Sequence, residues 1–213
     1  MDGLTTFFQY IERNWAELLA LTYDHLLMVV IGMGIALVIG ILLGIICFKN
    51  EKLAPFILAI ANLIQVFPSL ALLTLLMLIF GLGFNTVVIG LVLYSLLPII
   101  RNTYVGLKEV DSSISQAGTG VGMSPVQLLF KVQLPLSLPF LLAGVRIAMI
   151  ISIGVATLAP FIGGDGLGRP IYSGINLRDP VQIYSGALIA AAIAILADFL
   201  LGKAQKKLDK VNG

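Results

Sequence analysis

The sequence predicts an all-α integral membrane protein with five transmembrane helices, and three observations predict it. Hydrophobic residues make up 59% of the 213 residues and charged residues only 11%, and the mean hydropathy of +1.04 lies far above that of water-soluble domains. Five segments are long and apolar enough to cross about 30 Å of hydrocarbon. Lysine and arginine gather in alternate connections, as topology rather than ligand binding would arrange them. A chain of this length holds one membrane domain and no soluble domain of any size beside it.

Residues 1–22 form an N-terminal segment expected outside the membrane or at its interface. Phe7, Phe8, Ile11, Trp15, Leu18 and Leu19 are spaced among Glu12, Arg13 and Glu17, the pattern of a helix lying on the membrane surface or packed on the bundle. A basic leader and a small-residue cleavage site are both missing, so the segment does not read as a signal peptide. The membrane domain follows over 23–202. Its first span covers 26–48 and ends at Lys49, Asn50, Glu51 and Lys52; Gly40 and Gly44 within it form a GxxxG pair suited to close packing against an unidentified helix. The second covers 53–80, with Pro55 near its start and Pro68 inside, where a kink is expected. Division at Pro68 would raise the count to six, but each half would have about 13 residues, too few to cross alone. After the Gly81-Leu82-Gly83 turn, the third span covers 84–101 and contains Pro98. The fourth covers 138–162 with Arg146 and Pro160, and the fifth covers 181–201 before a lysine-rich tail, 203–213.

Orientation follows from the cations. One set of connections holds Lys49, Lys52, Arg101, Lys108, Lys131, Lys203, Lys206, Lys207 and Lys210, and the other holds Arg13, Arg169 and Arg178. The richer set belongs in the cytoplasm. Five spans then put the N-terminus outside and the tail inside, with the tail lysines contacting anionic lipid.

The cytoplasmic connection after the third span has helix signals of its own. Asp111 can cap a helix running through Gln116 and Ala117, and Gly118, Gly120 and Gly122 offer places to stop it. Met123 follows, and then Ser124-Pro125-Val126-Gln127 supplies a capping serine, a first-turn proline and a glutamine three residues on, a capping-box start. Leu134-Pro135 is expected to end this second helix before Pro139 leads back into the membrane. An ordered bracket of this kind beside a membrane suggests a docking surface.

The stretch SQAGTGVGMSPVQLLFKVQLP, within a loop at about 109–135, resembles the EAA motif of type I ABC importer permeases. That motif reads Glu-Ala-Ala, three residues, Gly, nine residues, Ile, one residue, Leu-Pro. Here Gln116-Ala117-Gly118, Gly122, Val132 and Leu134-Pro135 stand in register. Gln116 replaces the glutamate and removes a charge that could face a basic partner; Gly118 and Val132 are the other departures. IRNTYVGLKEVD before the loop and QLPLSLPFLLAGVRIAMIISIGVATLAPFIGGDGLGRPIYSGI after it resemble the permeases for glycine betaine, carnitine and choline, whereas methionine permeases share the architecture but not these residues. The resemblance covers nearly the whole chain. It implies an all-α five-span (or six-span) permease whose coupling loop, with Gln116, Ala117, Gly118, Gly122, Met123, Ser124, Leu134 and Pro135, docks on a cytoplasmic ATPase. It also implies a second permease subunit, either identical or a sister chain, two ATPase subunits and an extracellular binding protein or domain that delivers substrate.

The residues themselves agree with that division of labour. No GxxxxGK[ST] loop is present, and the run Gly163 to Gly168 does not continue into Lys-Ser or Lys-Thr, so ATP and magnesium belong to the partner and this chain is expected to bind no cofactor. That glycine run reads as a tight or re-entrant loop at the mouth of the pathway. No serine, histidine and acid constellation supports catalysis. His25, the lone histidine, has no second ligand for a metal and reads as an interface residue. Cys47 excludes an internal disulfide, and a net charge of +2 gives no reason to expect nucleic acid. Asn62, Gln65, Pro68 and Ser69 place polar groups and a helix break mid-membrane, suited to helix contacts or to lining a pathway. Arg146 either snorkels to the interface or joins a gating ion pair, for which Asp198 is the available acid. A gradient-driven transporter would call for an internal repeat and deep carboxylates, and neither is found.

Overall fold

A computed structural model describes residues 3–212, with side chains through residue 209. Every regular element among the described residues is helical. Helix α1 (Gly3–Lys49) is followed by the pair α2 (Ala54–Val66) and α3 (Ser69–Phe80), then by α4 (Phe84–Lys108), the short α5 (Ser112–Gly120) and α6 (Pro125–Leu128). A π-helical turn (Leu129–Gln133) joins α6 to α7 (Leu134–Ala156), and after a 3₁₀ turn (Ala159–Ile162) come α8 (Gly168–Leu177) and α9 (Pro180–Asn212).

Among the described residues four helices are long and apolar enough to cross a membrane, and the pair α2 and α3, bent by 101°, makes a fifth crossing if taken as one broken span. Contacts at both ends support a crossing rather than a return. Glu51, just before α2, pairs with Lys108 at the end of α4 at 2.8 Å, whereas Gly83, after α3, donates to the carbonyl of Ile162 at 2.9 Å. The pair therefore runs from the lysine-rich end of the bundle to the glycine-rich end. Midway, the Tyr94 hydroxyl donates to the Phe67 carbonyl at 2.6 Å. Tyr94 stands about 15 Å along α4 from Phe84 and about 21 Å from Lys108, which sets the break near mid-membrane.

The core is α1, α4 and α7 in mutual contact. Met33, Leu91, Val87, Ile99, Ala148 and Ile153 form its buried centre. Small residues bring the backbones together: a Cβ on Gly40 would lie 2.6 Å from Ile99, one on Gly44 2.5 Å from Thr103, and one on Gly144 2.7 Å from the Pro98 carbonyl. The partner of the GxxxG pair is thus α4 of the same chain. Ser95 and Ser152 bond each other at 2.8 Å inside this core, a polar link between α4 and α7.

Four expectations are corrected. The N-terminal segment and the first span form one uninterrupted helix of 47 residues, with Leu18 and Leu21 buried, so no break falls at residue 22. The third span continues through Arg101 to Lys108, because Asn102 and Thr103 stay helical against α1 and α7. His25 is fully buried rather than interfacial; it lies under Gly166, whose added Cβ would come within 3.1 Å of the His25 Cβ. Leu134-Pro135 does not end a helix, for the chain is helical from Pro125 to Ala156. The π turn explains this: the Leu134 amide reaches back five residues to Leu129, a widening that makes room for a proline within the rod.

Candidate functional site

The bracket between α4 and α7 is built by capping. Asp111 accepts from the Ser113 amide at 2.7 Å and opens α5. This bond holds the Asp111 carboxyl below its ordinary range, since the amide favours its ionised form. The chain reverses at Gly122, whose φ of +83° is a left-handed conformation that disfavours a side chain. The capping box then restarts the helix as the Ser124 amide donates to Gln127 Oε1 at 2.9 Å and the Gln127 amide to Ser124 Oγ at 3.3 Å.

Two contacts fold the halves together. Gly118 packs so closely on Leu128 that an added Cβ would lie 2.6 Å from its Cδ1, and Gln133 donates to Ser115 Oγ at 3.3 Å. The structure brings Gln116, Ala117, Gly118, Gly122, Met123 and Ser124 onto one projecting bracket; Gln116, Ala117, Gly122 and Ser124 are exposed, while Gly118 and Met123 are partly covered. Leu134 and Pro135 lie at the foot of the bracket where α7 begins. The result is a capped, largely exposed turn rooted in two spanning helices.

The second group lies at the α2–α3 break. Asn62 and Pro68 are exposed and Gln65 and Ser69 half-buried, and the sequence reading missed that Phe67 and Tyr94 hold the break in place. No local pattern pairs these two, because they are 27 residues apart. Arg146 directs its hydrogen bonds to Asp198 of α9, with Nη2 to Oδ2 at 2.7 Å and a second bond from Nε to Oδ1. No group of three or more metal-binding side chains occurs among the described residues.

Broken and continuous spans around an apolar core, drawn close by glycines at the helix contacts, with a bracket of this geometry, define a multi-pass helical membrane protein. The chain belongs to the family of binding-protein-dependent transport system inner membrane components, which it matches over residues 36–210. It is 42% identical over 213 residues to the carnitine transport permease protein OpuCD of Listeria monocytogenes, covering all of this chain and 96% of the relative. Identity is 40% over 200 residues to the choline transport system permease protein OpuBB of Bacillus subtilis, covering 94% of this chain and 92% of the relative. A chain of the MetNI methionine ABC transporter in an inward-facing conformation has a TM-score of 0.80 at 22% identity, over 90% of this chain and 95% of that one; this likeness concerns the fold alone.

Proposed function

We propose that this protein is the permease subunit of an ATP-driven importer for quaternary-amine osmoprotectants, the class of glycine betaine, carnitine and choline. The observation that carries the substrate class is the pair of nearly full-length relatives at 42% and 40% identity, one named for carnitine transport and the other for choline transport. The chain forms the passage and hydrolyses nothing. Two cytoplasmic ATPase subunits bind ATP and magnesium, and their closure is conveyed through the bracket of Gln116, Ala117, Gly118, Gly122, Met123 and Ser124, with Leu134 and Pro135 at its foot. A second permease copy or a sister chain completes the passage, and an extracellular receptor supplies the solute. The N-terminus lies outside and the basic tail inside. Asn62, Gln65, Pro68 and Ser69 line the passage, and the Arg146–Asp198 pair latches one of its states.

Growth at high salt tests this. The chain, expressed with its ATPase and receptor in a host stripped of its own betaine, carnitine and choline uptake, should restore growth when one of these solutes is supplied. Rescue by none of them, with the complex assembled in the membrane, would overturn the substrate class.

A further inference from the structure

The α2–α3 break leaves main-chain polar groups unmet at membrane depth. In an unbroken helix the Ile64 carbonyl would receive the amide of residue 68, but Pro68 has none. The carbonyls of Gln65 and Val66 would receive the amides of Ser69 and Leu70, and the 101° bend separates them. Among the described residues no main-chain hydrogen bond crosses the break; the bond that reaches it comes from Tyr94, and goes to Phe67. The break is also open, with Val66 71% and Phe67 40% exposed. Irregular backbone at this depth persists only against protein or water, never against lipid.

The open groups share one chemical character. The Ile64, Gln65 and Val66 carbonyls form the negative end of α2, and the next residue, Phe67, is an exposed aromatic. Carbonyl oxygens and a ring face attract a cation without asking it for a directed hydrogen bond. A quaternary ammonium, which spreads its charge over methyl groups and carries no N–H, can sit against such a surface through its charge alone.

We propose that the end of α2 from Ile64 to Phe67 is a cation subsite within the passage, taking the quaternary ammonium head of the solute as it crosses. The proposal rests on the quaternary-amine reading above and adds a place and a set of groups to it. Water, rather than lipid, fills the break between turnovers. Tyr94 holds the Phe67 carbonyl out of the set.

Thiol labelling tests the subsite apart from transport. Cys47 is the lone cysteine of this chain and is buried, so Cys47→Ser leaves Val66→Cys as its single thiol, and the assembled complex with Cys47→Ser alone gives the background labelling in vesicles. The thiol is offered trimethylammonium-ethyl methanethiosulfonate or its sulfonate analogue, and the ratio of rates is divided by the ratio for free cysteine. The cationic reagent should be favoured about tenfold after this correction, tetramethylammonium should slow it several-fold, and Phe67→Leu should remove most of the preference without releasing the ATPase. Failure of both reagents to react would mean that protein covers the break. Equal corrected rates without protection would mean a wet passage with no cation preference. Either result overturns the subsite. A complex that shows the preference yet imports no quaternary amine would instead overturn the quaternary-amine reading and, with it, the solute assigned to the site, while the cation preference itself would stand.

Discussion

Arg146 on α7 and Asp198 on α9 face each other in a two-point ion pair, guanidinium to carboxylate. Their side chains are 38% and 34% exposed, so the pair is not sealed in the core and can separate as helices shift. Asp198→Asn and Arg146→Gln should each lower the initial uptake rate several-fold. Exchange of the two, Arg146→Asp with Asp198→Arg, should recover much of it. Initial-rate uptake in vesicles checks this, and an exchange no better than the singles would show that the pair is not a latch.

Gly44 meets Thr103 of α4 so closely that a side chain has no room. Gly44→Val should destabilise the bundle by about 1–3 kcal/mol through overpacking, read as an earlier thermal transition in detergent. Gly34, with nothing within 4 Å of an added Cβ, is the control, and Gly34→Ala should be neutral or stabilising by up to about 1 kcal/mol.

The reversal at Gly122 depends on its positive φ. Gly122→Ala should strain the bracket by about 1–3 kcal/mol and weaken retention of the ATPase on the purified permease. Gly120→Ala should not, since that glycine is helical and has open space around it. Co-purification yields of the two variants decide the matter.

Asp111 makes the bracket sensitive to acid. Its carboxyl is held below the ordinary range by the Ser113 amide, so the cap contributes in full at neutral pH and is lost as pH falls through the lowered value. The protection of the Ser113 amide, its exchange rate corrected for the intrinsic effect of pH, should fall as pH drops below the ordinary carboxylate range. Asp111→Asn, which retains an acceptor oxygen but does not titrate, should abolish that dependence.

The spans were legible because their cause is local. Runs of Leu, Ile, Val and Gly between lysines need only length and apolarity to be read, and Asp111, Ser124 and Gln127 carry their caps in their spacing. The bracket was equally clear, since Gly122 and the capping box act within a few residues. What escaped the sequence depends on distant partners. The rod through Leu134-Pro135 needed a π turn that no local rule anticipates, and His25 looked interfacial until the loop at Gly166 covered it. The kink at Pro68 was foreseen, but its 101° bend and the bond from Tyr94 were not.

ATP-driven uptake tests the central claim most directly. Vesicles holding this chain with its ATPase and receptor would be loaded with ATP or ADP and offered labelled glycine betaine, carnitine and choline in turn. The account predicts accumulation of at least one of them with ATP, none with ADP, and no loss when ion gradients are collapsed. Accumulation of methionine or another solute instead would contradict the substrate class, and uptake that follows an ion gradient without ATP would contradict the importer itself.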